Sequence, residues 1–129
     1  MRGAARILAA AAAAVLATSQ TAAQGSESAA AQLLWECQAM ASVLMSGVTE
    51  AKAVMDDLAP MGSEGRARDR LALHDRLQQS LVRSEMAASA LVRLRCPNRG
   101  ILSQLEPDLR RAWSALAANR RSVLRAIPP

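Results

Sequence analysis

Two cysteines, Cys37 and Cys96, constrain this chain more than any other feature of its 129 residues. Each stands near the far end of a long run of helical periodicity, and the two runs meet at Pro60 and Gly62. In the first run Leu33, Cys37, Met40, Leu44, Val48, Ala51, Met55 and Leu58 recur at steps of three or four residues. That spacing keeps one face of a helix apolar for about seven turns. Pro60 ends the run, because proline pushes the preceding residue out of the α region. Gly62, Ser63 and Gly65 then supply a flexible turn.

The second run, over about 69–95, gathers Leu73, Leu77, Leu81, Ala88, Leu91 and Val92 on one side. Asp75, Arg76, Gln79 and Arg83 fall opposite, and Pro97, Asn98 and Gly100 close the helix. At ~1.5 Å per residue, Cys37 lies ~32 Å before the end of the first helix and Cys96 ~40 Å beyond the start of the second. An antiparallel hairpin brings the two to nearly one level. An intrachain bridge is the expected outcome, with an intermolecular bridge or two buried thiols as the rivals.

A third helix is expected over about 107–126, with Pro107 in its first turn, where the missing N–H costs nothing. Leu109, Trp113, Leu116, Val123 and Ile127 mark its apolar side, and Trp113 is expected to be the buried indole. The chain has two tryptophans and no Phe or Tyr, so Ala, Leu, Val and Met must fill the core. Strand formers are scarce beside Ala, Leu, Arg, Gln and Met. The expected fold is therefore all-α: a long antiparallel helical hairpin pinned by one disulfide, with a third C-terminal helix packed on it.

Ahead of the hairpin, Arg2 and Arg6 precede the apolar run Ile7 to Ala17, and Thr21-Ala22-Ala23 offers small residues for cleavage. This is the pattern of a secretory signal peptide, residues 1–23, cut after Ala23. Polar Thr18, Ser19, Gln20 and Thr21 break the run short of the ~20 apolar residues of a membrane span, which argues against a retained anchor. The mature part, 24–129, then forms a single small helical domain with helices at about 27–58, 69–95 and 107–126. Its expected location is the periplasm or the secreted fraction, where two cysteines pair.

The net charge of +5 divides unevenly. Residues 24–62 set Lys52 against Glu27, Glu36, Glu50, Asp56 and Asp57, while the segments after them carry an excess of arginine. An acidic first helix and basic later ones can satisfy each other within one bundle, so the high pI does not point to nucleic acid. The pairs Arg110-Arg111 and Arg120-Arg121 leave room for peripheral contact with anionic lipid.

Catalytic patterns are missing from the sequence. His74 is the one histidine, and Asp75 beside it diverges on a helix rather than forming a dyad. There is no metal-ligand spacing and no phosphate loop, so neither a metal nor a cofactor is expected. Met40, Met45, Met55, Met61 and Met86 are read as gap fillers in a core without aromatics.

Two surfaces are candidates for a partner. With Leu33 at 0° on the helix wheel, Trp35 sits near 200°, away from the core stripe, either as an exposed indole suited to a binding hot spot or as one covered by the third helix or the segment before the first. At the hairpin tip, Asp56 and Asp57 end one helix while Arg66, Arg68 and Arg70 begin the next, each set opposing its own helix dipole. Pairing across the turn explains that placement structurally, and a charged docking tip explains it functionally. The expected role is a non-enzymatic exported binding or adaptor module, chaperone-like, or an accessory subunit of a cell-envelope assembly. It would engage an envelope protein or a second copy of itself. A metal- or small-ligand-binding bundle around His74 and the methionines is one alternative, and a periplasmic inhibitor or immunity-type protein another.

Overall fold

The computed structural model describes the backbone of residues 4–61 and 66–127, and side chains for residue 25 and residues 27–61 and 66–127. Among the described residues there are three helices, α1 Ala4–Leu58, α2 Ala67–Arg93 and α3 Ile101–Ala126, with a short 3-10 turn at Ala59–Met61. Backbone contacts divide the chain into two units, residues 1–36 and 37–129. The side chains of the proposed signal segment, turn residues 62–65 and the last two prolines lie outside the described residues.

In the first unit the backbone is helical from Ala4, well ahead of the start expected at about residue 27. Alanine dominates this stretch and has the highest helix propensity, so the helix extends upstream of that point. Leu33, Leu34 and Trp35 are all exposed, and Gln32 Nε2 donates to Glu36 Oε1 at 3.2 Å.

The second unit is the expected hairpin. Residues 37–58 of α1 pack along α2, α3 packs on them, and a Cys37–Cys96 disulfide joins the ends with 5.6 Å between Cα atoms. The core forms in two clusters. At the disulfide end Cys37, Leu44, Val48, Ala87, Leu91, Cys96 and Leu105 are buried together. Toward the turn Ala51, Val54, Leu73, Leu77, Leu81, Ala112 and Leu116 form the other. Between the clusters α1 and α2 touch through small residues. A Cβ added at Gly47 would overlap Ser84 Oγ and lie 2.9 Å from the Ser80 carbonyl oxygen. The two serine hydroxyls are turned into their own helix, Ser80 to the Leu77 carbonyl and Ser84 to the Ser80 carbonyl, each at 2.8 Å. Both are satisfied without help from α1, which leaves a smooth surface for Gly47 to meet.

The end of α2 is built by backbone geometry more than by Pro97. Arg95 has φ 51, the left-handed region, and its N–H donates to the Val92 carbonyl at 3.1 Å. The Cys96 N–H donates to the Leu91 carbonyl at 3.0 Å. These two bonds make a Schellman motif with arginine where glycine is usual. The turn aims Cys96 back into the core. Asn98 Nδ2 adds a bond to the Cys37 carbonyl oxygen at 3.2 Å, tying the α2–α3 connection to α1. Because an L side chain is strained at this φ, Arg95→Gly is expected to stabilise the protein by about 1 kcal/mol, read as a higher melting temperature. A lower melting temperature would assign Arg95 a contact worth more than its strain.

Several helical positions differ from the sequence expectation. α3 starts six residues before Pro107 and carries that proline inside it. Leu105 is buried and Ile101, Leu102 and Leu109 pack against the disulfide-end cluster, so apolar burial outweighs the lost backbone bond. Val92 and Ile127, both expected on apolar sides, are exposed. Arg70, expected at the surface of the tip, is buried instead. Its Nη1 donates to Asn119 Oδ1 at 3.4 Å, and Asn119 Nδ2 donates to the Arg70 carbonyl at 3.0 Å. This reciprocal pair locks the start of α2 to the C-terminal half of α3.

Candidate docking site

An open trough runs between α1 and α2. Met40 and Val43 form one wall, and Val82, Met86, Ala87 and Ala90 the other, with Gln78, Gln79 and Arg83 along the rim. Its volume is about 630 Å³, and no α3 residue lines it. Helical spacing creates the α2 wall. Val82, Met86 and Ala90 follow one another at four-residue steps, rotated away from the buried line of Leu77, Leu81, Ser84 and Leu91. Met86 is 70% exposed, an unusual state for a long apolar side chain.

The ion pairs at the surface link the three helices. Arg76 reaches both Glu50 and Asp57 of α1, while Lys52 of α1 pairs with Asp108 of α3 at 2.8 Å. Acidic α1 therefore meets basic α2 as its charge pattern suggests, but the contact with α3 has the opposite sign. Exposed pairs of this kind each contribute about 0–1 kcal/mol and mainly fix the register.

The residues proposed from sequence for a partner do not assemble into one site. Trp35 is 64% exposed and belongs to the first unit. Asp56, Arg66 and Arg68 are exposed, Asp57 turns to Arg76, and Arg70 turns inward to Asn119. Among the described residues, no ion pair joins Asp56 or Asp57 to Arg66, Arg68 or Arg70. Trp113 is half-buried rather than enclosed, with its indole N–H donating to Glu85 Oε1 at 2.9 Å. His74 is half-buried on the α2–α3 side, and its Nδ1 has no hydrogen-bond partner among the described residues.

The methionines are dispersed. Met40 and Met86 line the trough, Met55 and Met61 pack against the turn-end cluster, and Met45 is exposed. No three His, Cys, Asp or Glu side chains among the described residues gather as a metal site would require. The trough is not apparent in the sequence because Gln79 and Arg83, on the expected polar side of α2, stand along its rim. The Val82/Met86/Ala90 spacing beside them was the available signal.

Neither a family model, nor a curated protein, nor a solved structure matches this chain.

Proposed function

We propose that this protein is a non-enzymatic, exported helical module that binds another protein, as an adaptor, chaperone-like factor or accessory subunit of a cell-envelope assembly. The observation that carries the reading is the trough of Met40, Val43, Val82, Met86 and Ala90, an apolar surface that the protein's own third helix leaves open. An amphipathic helix is the ligand such a surface fits, engaging it through side chains at i, i+3, i+4 and i+7. Methionine suits that role, since its flexible thioether adapts to differing partners.

Export is supported by two features. The N-terminal residues have the order charged, apolar, then small. The disulfide, buried in the core, fits an oxidising, extracellular-type environment. No helix among the described residues is long and apolar enough to cross a membrane.

The reading is tested by placing a photo-crosslinking amino acid at Met86 in cells, with Arg110 as the control position. The expected result is a defined adduct with one protein from Met86 and none from Arg110. Val82→Glu should abolish that adduct while changing stability by about 0.5 kcal/mol or less, because Val82 is already exposed. Adducts of equal yield from both positions, or none from Met86, would overturn the reading.

A further inference from the structure

A second surface, which meets the trough only at Gln78, lies where the start of α2 meets the end of α3. Leu71, His74 and Asp75 of α2 face Trp113, Arg120, Arg121 and Leu124 of α3 across an open groove of about 820 Å³. On the α3 wheel Trp113, Arg120 and Arg121 all fall within about 60° of Leu124. Three large apolar side chains project from this end, with Leu71 50%, Leu124 59% and Ile127 57% exposed. Residues 117–127 carry Arg120, Arg121 and Arg125 and no acid. Among the lining residues Asp75 is the one carboxylate, and Glu85 stands just beyond, accepting from the Trp113 indole N–H at 2.9 Å.

Apolar side chains that project between guanidinium groups match the interface of an anionic bilayer. The apolar groups enter the acyl boundary, and the arginines extend along it to reach phosphate. We infer that this end of α2 and α3 seats on an anionic lipid surface.

The extent of the patch favours a membrane over an acidic protein helix. Its cationic part covers only the last turns of α3. Farther along the same two helices the groove is lined by Glu85 and Glu106 as well as Arg93. A long acidic helix would run into those carboxylates, whereas a planar surface touches only the end. The Arg70–Asn119 pair holds the two elements together there, so the patch is presented on a rigid base.

The test uses the full chain with vesicles of phosphatidylcholine alone or mixed equally with phosphatidylglycerol. Leu124→Trp in a Trp35→Phe background, compared with Trp35→Phe alone, reports contact at α3 itself. Residues 1–23 are the same in every variant. With the anionic vesicles, the indole at position 124 should shift to the blue and be quenched by brominated acyl chains. With phosphatidylcholine alone it should not. Arg120→Glu/Arg121→Glu should weaken partitioning by about tenfold or more, since each cationic side chain near such a surface contributes on the order of 1 kcal/mol. Unchanged partitioning of that double variant would overturn the inference, as would an indole blind to the vesicles. Binding of an acidic amphipathic peptide at this patch without vesicle binding would reassign it to a protein partner.

Discussion

Replacing both cysteines, Cys37→Ala with Cys96→Ala, is expected to lower stability by roughly 4 kcal/mol. The magnitude comes from the 59-residue separation that the bridge closes, because the cross-link removes that loop's freedom from the unfolded chain. Net stability of a small domain is only about 5–15 kcal/mol, and this core has no Phe or Tyr and leaves Trp35 exposed and Trp113 half-buried. Both sulfurs sit in the disulfide-end cluster beside Leu44 and Leu91, so alanine preserves an apolar contact there better than serine would. Urea unfolding measures the effect, with a lower midpoint and a steeper slope as the released chain exposes more surface. The bonds from Asn98 to the Cys37 carbonyl and from Cys96 N–H to Leu91 remain, so the hairpin register should survive at low temperature. A loss under about 1 kcal/mol would mean that packing alone fixes the two ends.

The fold was legible where periodicity and proline carried it. Leu44, Leu77, Leu81 and Leu91, read as core from their spacing, are fully buried, and α1 stops at Leu58 just before Pro60. What was not legible depends on contacts between elements. Nothing local reveals that Ile101, Leu102 and Leu105 find a cluster to join, which is why Pro107 misled the start of α3. Val92 has the right direction on the wheel but lies at the edge of the α2–α3 contact, lining an open groove beside Leu102 and Leu109 of α3. The turn at Arg95 carries no glycine and so gave no signal of its left-handed backbone.

The candidate site was less legible than the fold, for a related reason. A wheel identifies which residues face one direction, not which directions the neighbours leave uncovered. Val82 and Met86 become a surface only once α3 is known to pack elsewhere. Arg70 belongs by position to the charged start of α2 with Arg66 and Arg68, and its inward turn depends on Asn119 standing 49 residues away. Of the two readings of Trp35, exposed or covered, the exposed one holds at 64%, in line with its direction on the wheel.

Gly47→Val is expected to destabilise the protein by about 3 kcal/mol, and the smaller Gly47→Ala by about 1. Helix propensity predicts the opposite sign, because glycine inside a helix costs about 1 kcal/mol relative to alanine. The decisive fact is the approach of α2. Ser84 can rotate away from an added methyl group by giving up its bond to the Ser80 carbonyl, but that carbonyl is backbone, 2.9 Å from the new Cβ, and cannot move alone. The helices must therefore separate, and separation loosens the apolar clusters on both sides of the crossing at once. Valine's two methyl groups also restrict its rotamers against the preceding turn, so it has less freedom to avoid the overlap than a flexible side chain. Ser84→Ala should be milder by itself and should recover part of the Gly47→Ala loss, because it removes the hydroxyl while leaving the Ser80 carbonyl in place. A double-mutant cycle on Gly47 and Ser84 reads this as coupling beyond the ~0.5 kcal/mol expected of independent sites. If Gly47→Ala instead raised the melting temperature, α1 and α2 would stand farther apart than this crossing requires, and the trough beside it would have a different shape.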